Sequence, residues 1–422
     1  MVDTSGSGGI LPSGKGSNSV QVRHYNERVV LDAIRRLGEA SKADVARFAH
    51  LTPPAISGIV EALIDAGYVE ARGKRFGGKG QPSLMYALDP NGGFSIGLHL
   101  GRRTLDAVLV EFSGKVRMSE SHEYSYPEPE HIRTIGNDVI ARMLKSLGPN
   151  KNRMVGMGIS APYFLGGWEH ELAFPPEVSA RWREVDLTSL FDVSQSLPLF
   201  VENDASAAAA AELVFGAGKK YRDFVHLSIN TLIGGGLISD GTLQTGPNGN
   251  AAAFGPMPVA HSKLSSISKP SGPFEILLRR ASIYGLLNHL RQSGVVIDRV
   301  RELEPMPVAA LKPFLEWQDD CADALAQAII STIAVVDLEA IVIDGLLPGD
   351  LLSQTVDLIR MRFSAMMPKG LVAPQIIAGS IGPQASALGA AILPIYQLFA
   401  PDSAVLTKKA VEKKPLMIRS LG

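Results

Sequence analysis

Ser41–Leu63 reads SKADVARFAHLTPPAISGIVEAL, and its spacing decides how the N-terminal part of the chain folds. Ser41 is a helix cap, with Asp44 three residues on as a short version of the capping box. The helix that follows carries Val45, Phe48 and Ala49 as its apolar stripe. After His50 and Leu51, Thr52 caps a further run, and Pro53 suits the first helical position, where a missing N–H costs nothing. Ile56, Ile59, Val60 and Leu63 then recur at helical offsets and leave Pro54, Ser57, Gly58 and Glu61 outward. Upstream, Glu27–Leu37 puts Val30, Ile34 and Leu37 on one face before Gly38 ends it. Two short helices, a tight turn and a third amphipathic helix make a helix-turn-helix.

Working outward, Gly67–Glu70 starts a strand and Leu84–Leu88 returns as a second one. Between them stand Arg72, Lys74, Arg75 and Lys79 with no acidic residue, so the hairpin is a basic wing whose natural partner is phosphate. The candidate DNA contacts are Thr52, Pro53, Pro54, Ser57, Arg72, Lys74, Arg75 and Lys79. The outward face of the third helix is poor in long hydrogen-bonding side chains, so base readout leans on Ser57, the wing and DNA shape. The plain alternative is a small helical interaction module with a solvated basic loop.

The 422 residues exceed one ordinary core and suggest two or three domains. A net charge of -1 gives no global attraction to nucleic acid, so any DNA contact is local. Cys321 is the only cysteine, which excludes an internal disulfide and a thiolate-rich metal site; it reads as a buried core thiol. There is no run of 18 apolar residues and no apolar signal segment near the start, so no membrane is expected and a cytoplasmic location follows, on the nucleoid when DNA is bound.

Residues 1–20 read as a disordered tail, 21–90 as the winged helix-turn-helix domain and 401–422 as a polar tail. From Gly93 onward strands alternate with helices, the α/β signature. Strands are expected at Phe94–Leu100, Leu105–Glu111, Arg153–Ser160, Leu199–Glu202, Phe224–Ile229, Gly235–Ser239 and Ala340–Ile343. Helices are expected at His131–Ser146, Ala205–Phe215, Phe274–Leu290 and Trp317–Leu338.

Several stretches resemble the ROK family, which groups sugar-responsive repressors, such as those for xylose and N-acetylglucosamine, with sugar kinases. In the N-terminal part they are Asn26 before Val30-Leu31, Ser41–Ala46, Ala55–Val60 and Gly80-Gln81-Pro82. In the body they are Trp182, Leu197-Pro198, Val201–Ala205 with an alanine-rich helix to Glu212, Gly234–Gly236, Asp240-Gly241, Gly246 with Gly249, and Ala385–Ala391. The resemblance implies a two-lobed actin-like (ribonuclease H-like) sugar-kinase fold behind the winged helix-turn-helix, with sugar bound in the cleft. The first lobe is then 91–205 with a C-terminal helix 384–400, and the second lobe, with the oligomerisation region, is 206–383. Asn203, Asp204 and Glu275 match the family's hydroxyl-binding positions, and Asp204 matches its catalytic base. Capping of the following helix is the other reading of Asp204.

The phosphate side of the resemblance fails. Where the family has Asp-x-Gly-Gly-Thr, this chain has His99-Leu100-Gly101-Arg102-Arg103, and its second glycine motif reads Asn230-Thr231-Leu232-Ile233-Gly234-Gly235-Gly236. Leu232 adds bulk where ATP would sit. The family's zinc positions hold Pro256, Ser266, Ser268 and Pro273, leaving His261 alone nearby. No catalytic residue, metal or cofactor is therefore expected. Ala253 and Pro256 replace two sugar contacts, while Arg102 and Arg103 read either as a solvated turn or as partners for a phosphorylated ligand. The expected partners are a double-stranded DNA operator, a sugar-type effector and further copies of the chain in a homodimer or homotetramer. A sugar kinase with an accessory DNA-binding domain and an effector-free regulator remain alternatives.

Overall fold

The computed structural model describes residues 19–76, 82–167, 175–194, 196–268 and 272–401. These fall into two compact units, one running to Gly92 and taking in 396–401, the other spanning Gly93–Ile395. Lys79 and the tails 1–18 and 402–422 lie outside the described residues.

The first unit contains α1 (Ser19–Leu37), α2 (Lys42–Ala49) and α3 (Pro53–Asp65). A three-stranded antiparallel sheet joins them, in the order β1 (Ala40–Ser41), β3 (Ser83–Leu88), β2 (Val69–Arg75). Val30, Ile34, Val45, Ile56, Val60 and Leu88 close its core. Two expectations are corrected here. The helix begins at Ser19 instead of Glu27, so residues 19 and 20 are not tail; no glycine or proline interrupts the run, and Arg23 pairs with Glu27 at 3.1 Å one turn on. Phe48 is 45% exposed, because the two-turn α2 meets the core through Val45. Phe399, near the end of the chain's last described helix, packs edge-on against Tyr68 with ring centroids 5.1 Å apart.

The second unit holds two five-stranded mixed sheets of matching design. The first is ordered β6-β5-β4-β7-β8, from β4 (Phe94–Leu100), β5 (Thr104–Glu111), β6 (Val116–Glu123), β7 (Met154–Ala161) and β8 (Leu199–Asn203). The second is ordered β11-β10-β9-β14-β15, from β9 (Phe224–Ile229), β10 (Ile233–Ser239), β11 (Thr242–Gln244), β14 (Ala340–Gly345) and β15 (Gln375–Ala378). In each, a meander of three antiparallel strands is followed by two strands that join in parallel across helical crossovers. Helices α4 (Pro129–Ser146) and α5 (Pro176–Trp182) accompany the first sheet, and α6 (Asp204–Phe215) follows β8. The two sheets with their helices are the lobes of an actin-like body.

Between the meander and β14, the expected helix over 274–290 is instead a short strand pair, β12 (Pro258–Val259) with β13 (Glu275–Ile276), then α7 (Leu277–Arg280) and α8 (Ile283–Gln292). Ser282 makes the break, its hydroxyl accepting from the Gly285 N–H at 3.1 Å as the cap of α8. The helix expected from Trp317 starts earlier, as α9 (Val308–Ile333), and α10 (Gly349–Met366) leads into β15. The last helix, α11 (Ala385–Phe399), lies directly on the first sheet. A Cβ at Gly97 or Gly158 would sit 2.2 Å from the Ala391 nitrogen or 1.9 Å from the Ala390 oxygen, so only glycine admits this approach. Among the described residues no helix is long and apolar enough to cross a membrane.

Candidate functional site

Two sets of side chains carry chemistry, one in each unit. In the first, Ser41 Oγ accepts from the Asp44 N–H at 3.2 Å while Asp44 Oδ2 accepts from the Ser41 N–H at 3.1 Å, so the short capping box forms. Hydrogen bonds from Ser41, and more weakly the Arg75 guanidinium, hold the Asp44 pKa at about 2. Arg75 on the wing donates to Asp44 Oδ2 at 2.9 Å, which ties β2 to the start of α2. Arg72 is paired with Glu70 at 2.6 Å. Lys74, fully outward, has no ion-pair partner among the described residues.

Thr52, Pro53 and Pro54 are exposed at the start of α3, and the Thr52 side chain makes no capping hydrogen bond. Ser57 is already engaged: Lys42 Nζ donates to it at 2.8 Å, and its own hydroxyl donates to Glu61 Oε1 at 3.0 Å. Lys42 also reaches Glu61 Oε1 at 3.0 Å and lies 5.8 Å above the Tyr86 ring. This Lys42–Ser57–Glu61 group escaped the sequence reading because its members sit on two helices. The outward spacing of Ser57 and Glu61 on α3 was its one visible trace.

In the second unit the parallel strands β4, β7 and β8 put His99, Ser160 and Glu202 in one row. Beyond the row, Asn203 Oδ1 accepts from the N–H groups of Ala205 and Ser206 at 3.1 and 3.2 Å. Asn203 is therefore the cap of α6; the cap reading of Asp204 is corrected to the first helical residue, its Oδ1 accepting from the Ala205 N–H at 2.9 Å. Ser386 Oγ on α11 donates to the Asp204 carbonyl at 3.0 Å and holds this corner to the sheet.

His99 stands between two carboxylates, with Nδ1 3.4 Å from Asp106 and Nε2 3.8 Å from Asp204. Burial opposes its charge, but the Asp106 hydrogen bond and both carboxylate charges prevail and raise its pKa to about 9. Burial likewise favours a neutral Asp204, yet the charges of His99 and Arg102 overcome it and hold the carboxyl below its ordinary range. Thr104 and Ser121 donate to Asp106 as well. Arg102 and Arg103 occupy the turn between β4 and β5, closed by Gly101 N–H to the Thr104 carbonyl at 2.8 Å. Arg103 donates to the Ser125 carbonyl, whereas Arg102 feels the charge of Asp204 and has Nε buried without a hydrogen-bond partner among the described residues. One residue before the cap, burial raises the Glu202 pKa to about 7.

Glu275 comes from another element. It is buried on β13, with Oε1 accepting from the Ile276 N–H at 2.9 Å and Oε2 without a hydrogen-bond partner. Among the described residues no hydrogen bond or ion pair joins it to Asn203 or Asp204. Leu232 is buried in the second lobe's apolar core. Ser266 bonds to His289 Nδ1 at 2.8 Å, and His289 Nε2 lies 3.3 Å from Glu316.

Compared with known proteins, residues 95–396 match the family model described as ROK family. An uncharacterized protein of Sinorhizobium fredii, y4fQ, is 27% identical over 377 residues, covering 89% of this chain and 91% of that one. The xylose repressor of Bacillus spizizenii is 26% identical over 238 residues, covering 56% of this chain and 61% of the repressor. Among solved structures, a ROK family transcriptional regulator described as a homolog of the Escherichia coli MLC protein superposes with a TM-score of 0.62 at 20% identity. That superposition covers 90% of this chain and 97% of the regulator.

Proposed function

Because the chain belongs to the ROK family, we propose that it is a sequence-specific DNA-binding regulator, acting as a repressor of carbohydrate-related genes, whose cleft takes a sugar-type effector without phosphorylating it. The observation that carries the reading is the exposed start of α3, with Thr52, Pro53 and Pro54 outward, on the same small unit as a wing whose Lys74 is outward and has no ion-pair partner among the described residues. A helix start presented beside a basic hairpin meets a major groove and its flanking phosphates. The protein works in the cytoplasm as a homodimer or homotetramer on paired half-sites.

The state of Asp204 supports the second half of the reading. A general base must accept a proton readily near the working pH. Asp204, held charged by His99 and Arg102, is a weak proton acceptor, and the turn that should cradle phosphate instead presents two arginines. Asn203, Asp204 and Glu275 are the polar groups proposed to meet an effector.

The test is selection of duplexes from a random library by the full-length protein, followed by binding titrations. Two related half-sites at fixed spacing are expected; failure to enrich any motif would sink the DNA-binding reading. In parallel, ADP release over a sugar panel with ATP and magnesium should stay at background. Sugar-dependent turnover that vanishes in Asp204→Asn would replace the regulator by a kinase.

A further inference from the structure

Two buried donors, on Arg102 and His99, act on Asp204 and have no hydrogen-bond partner among the described residues. Arg102 Nε is buried with no hydrogen-bond partner, and among the described residues nothing pairs with its guanidinium at bonding distance. His99 Nε2 is buried as well and has no hydrogen bond among the described residues: its ion-pair partner, Asp204 Oδ2, stands 3.8 Å away, too far for a direct one. Asp204 spends Oδ1 on the Ala205 N–H, which leaves Oδ2 near His99 Nε2 and under the charge of Arg102.

Neighbouring groups do not relieve this. Asp106 is saturated by Thr104, Ser121 and His99, and Arg103, the next cation along the turn, is engaged with the Ser125 carbonyl. Buried donors left unpaired are costly, and a guanidinium presents several in a planar fork. The hydroxyls of a neutral sugar satisfy Asp204 but supply no charge for that fork. A carboxylate or phosphate fits it in a bidentate manner.

Building on the effector reading above, we propose that the cleft's ligand is an anionic carbohydrate: its carboxylate or phosphate seats on Arg102 and His99 Nε2, and a neighbouring hydroxyl donates to Asp204. This gives Arg102 and Arg103 separate fates. The first recognises ligand and the second fixes the turn.

Calorimetric titration of the full-length protein at neutral pH tests it with four sets of probes: gluconate and glucuronate, a hexose phosphate, the neutral sugars glucose, xylose and N-acetylglucosamine, and inorganic phosphate. An acid or a phosphate ester should bind at least about tenfold tighter than its neutral parent, and the tighter set identifies the source of the charge. Arg102→Gln should weaken that ligand on the order of ten- to a hundredfold, while Arg103→Gln leaves it within about twofold. Arg102→Lys, which keeps the charge and loses the fork, should fall between; it serves if the glutamine variant fails to fold. Neutral sugars binding as well as the anions would overturn this inference and leave the effector reading standing, as would full anion affinity in Arg102→Gln. Inorganic phosphate binding as tightly as the sugar anions would reduce the site to a bare anion hole and overturn the carbohydrate part. If no carbohydrate in any set binds, the effector reading falls and this inference with it.

Discussion

His99, which the sequence reading aligns with an acid of the ROK family, stands between Asp106 and Asp204. An acid there would repel Asp204; an imidazolium instead stabilises both Asp204 and Asp106 as carboxylates. His99→Gln should therefore destabilise the protein by about 3 kcal/mol at neutral pH, since two partly buried carboxylates lose their common cation. Denaturant unfolding measures this, and a loss under about 1 kcal/mol would contradict it. The effect also has a pH signature. The histidine's ordinary pKa is 6.5 and its folded value about 9, so proton binding favours the native state. Its contribution is fully present below about pH 6.5 and lost as the pH climbs through 9. Across that window the wild type should lose stability relative to His99→Gln, and parallel curves for the two proteins would refute the assignment.

At the scale of elements, the wing and α2 form one unit held by Asp44. That carboxylate accepts from the Ser41 cap and from Arg75 on β2, so the box that starts a helix also anchors the hairpin. The arginines of the wing are thereby unequal to its lysine. Arg72 and Arg75 have carboxylate partners, whereas Lys74 is outward and unpaired among the described residues. Lys74→Ala should flatten the plot of log K against log salt by about 0.9, the share of one phosphate contact. Arg75→Ala should change that slope less, because its charge is already spent on Asp44. DNA titrations at several salt concentrations decide this, and an unchanged slope in Lys74→Ala removes the wing tip from the interface. The elements themselves were largely legible. Ile56, Ile59, Val60 and Leu63 are the buried stripe of α3, and Phe94–Leu100 and Phe224–Ile229 are strands with the bounds read for them. The alternating, charged β6 and the short β15 were not, because an edge strand carries too little apolar signal to stand out.

At the scale of the molecule, the proposed regulation requires that occupation of the cleft changes DNA affinity. A ligand does this only by binding the DNA-competent and incompetent states unequally. With the ligand found by titration, operator Kd should shift by at least about fivefold, and the ratio of affinities with and without ligand should collapse to one in Asp204→Ala. A full shift in that variant would leave Asp204 as no more than the first residue of α6. Sequence alone determined the helix-turn-helix, the α/β body and the candidates Asn203 and Asp204, because each is written in local spacing or in a contiguous motif. Only the tertiary structure decided which charges meet. Parallel pairing of β4, β7 and β8 brings their C-terminal ends to one edge, so His99 near the end of one strand meets Asp204 just past another, with Arg102 in the turn that follows β4. It decided equally that Arg103 is engaged with the Ser125 carbonyl and that Glu275 lies buried on β13. Periodicity records which face of an element is buried, but not which element lies against it.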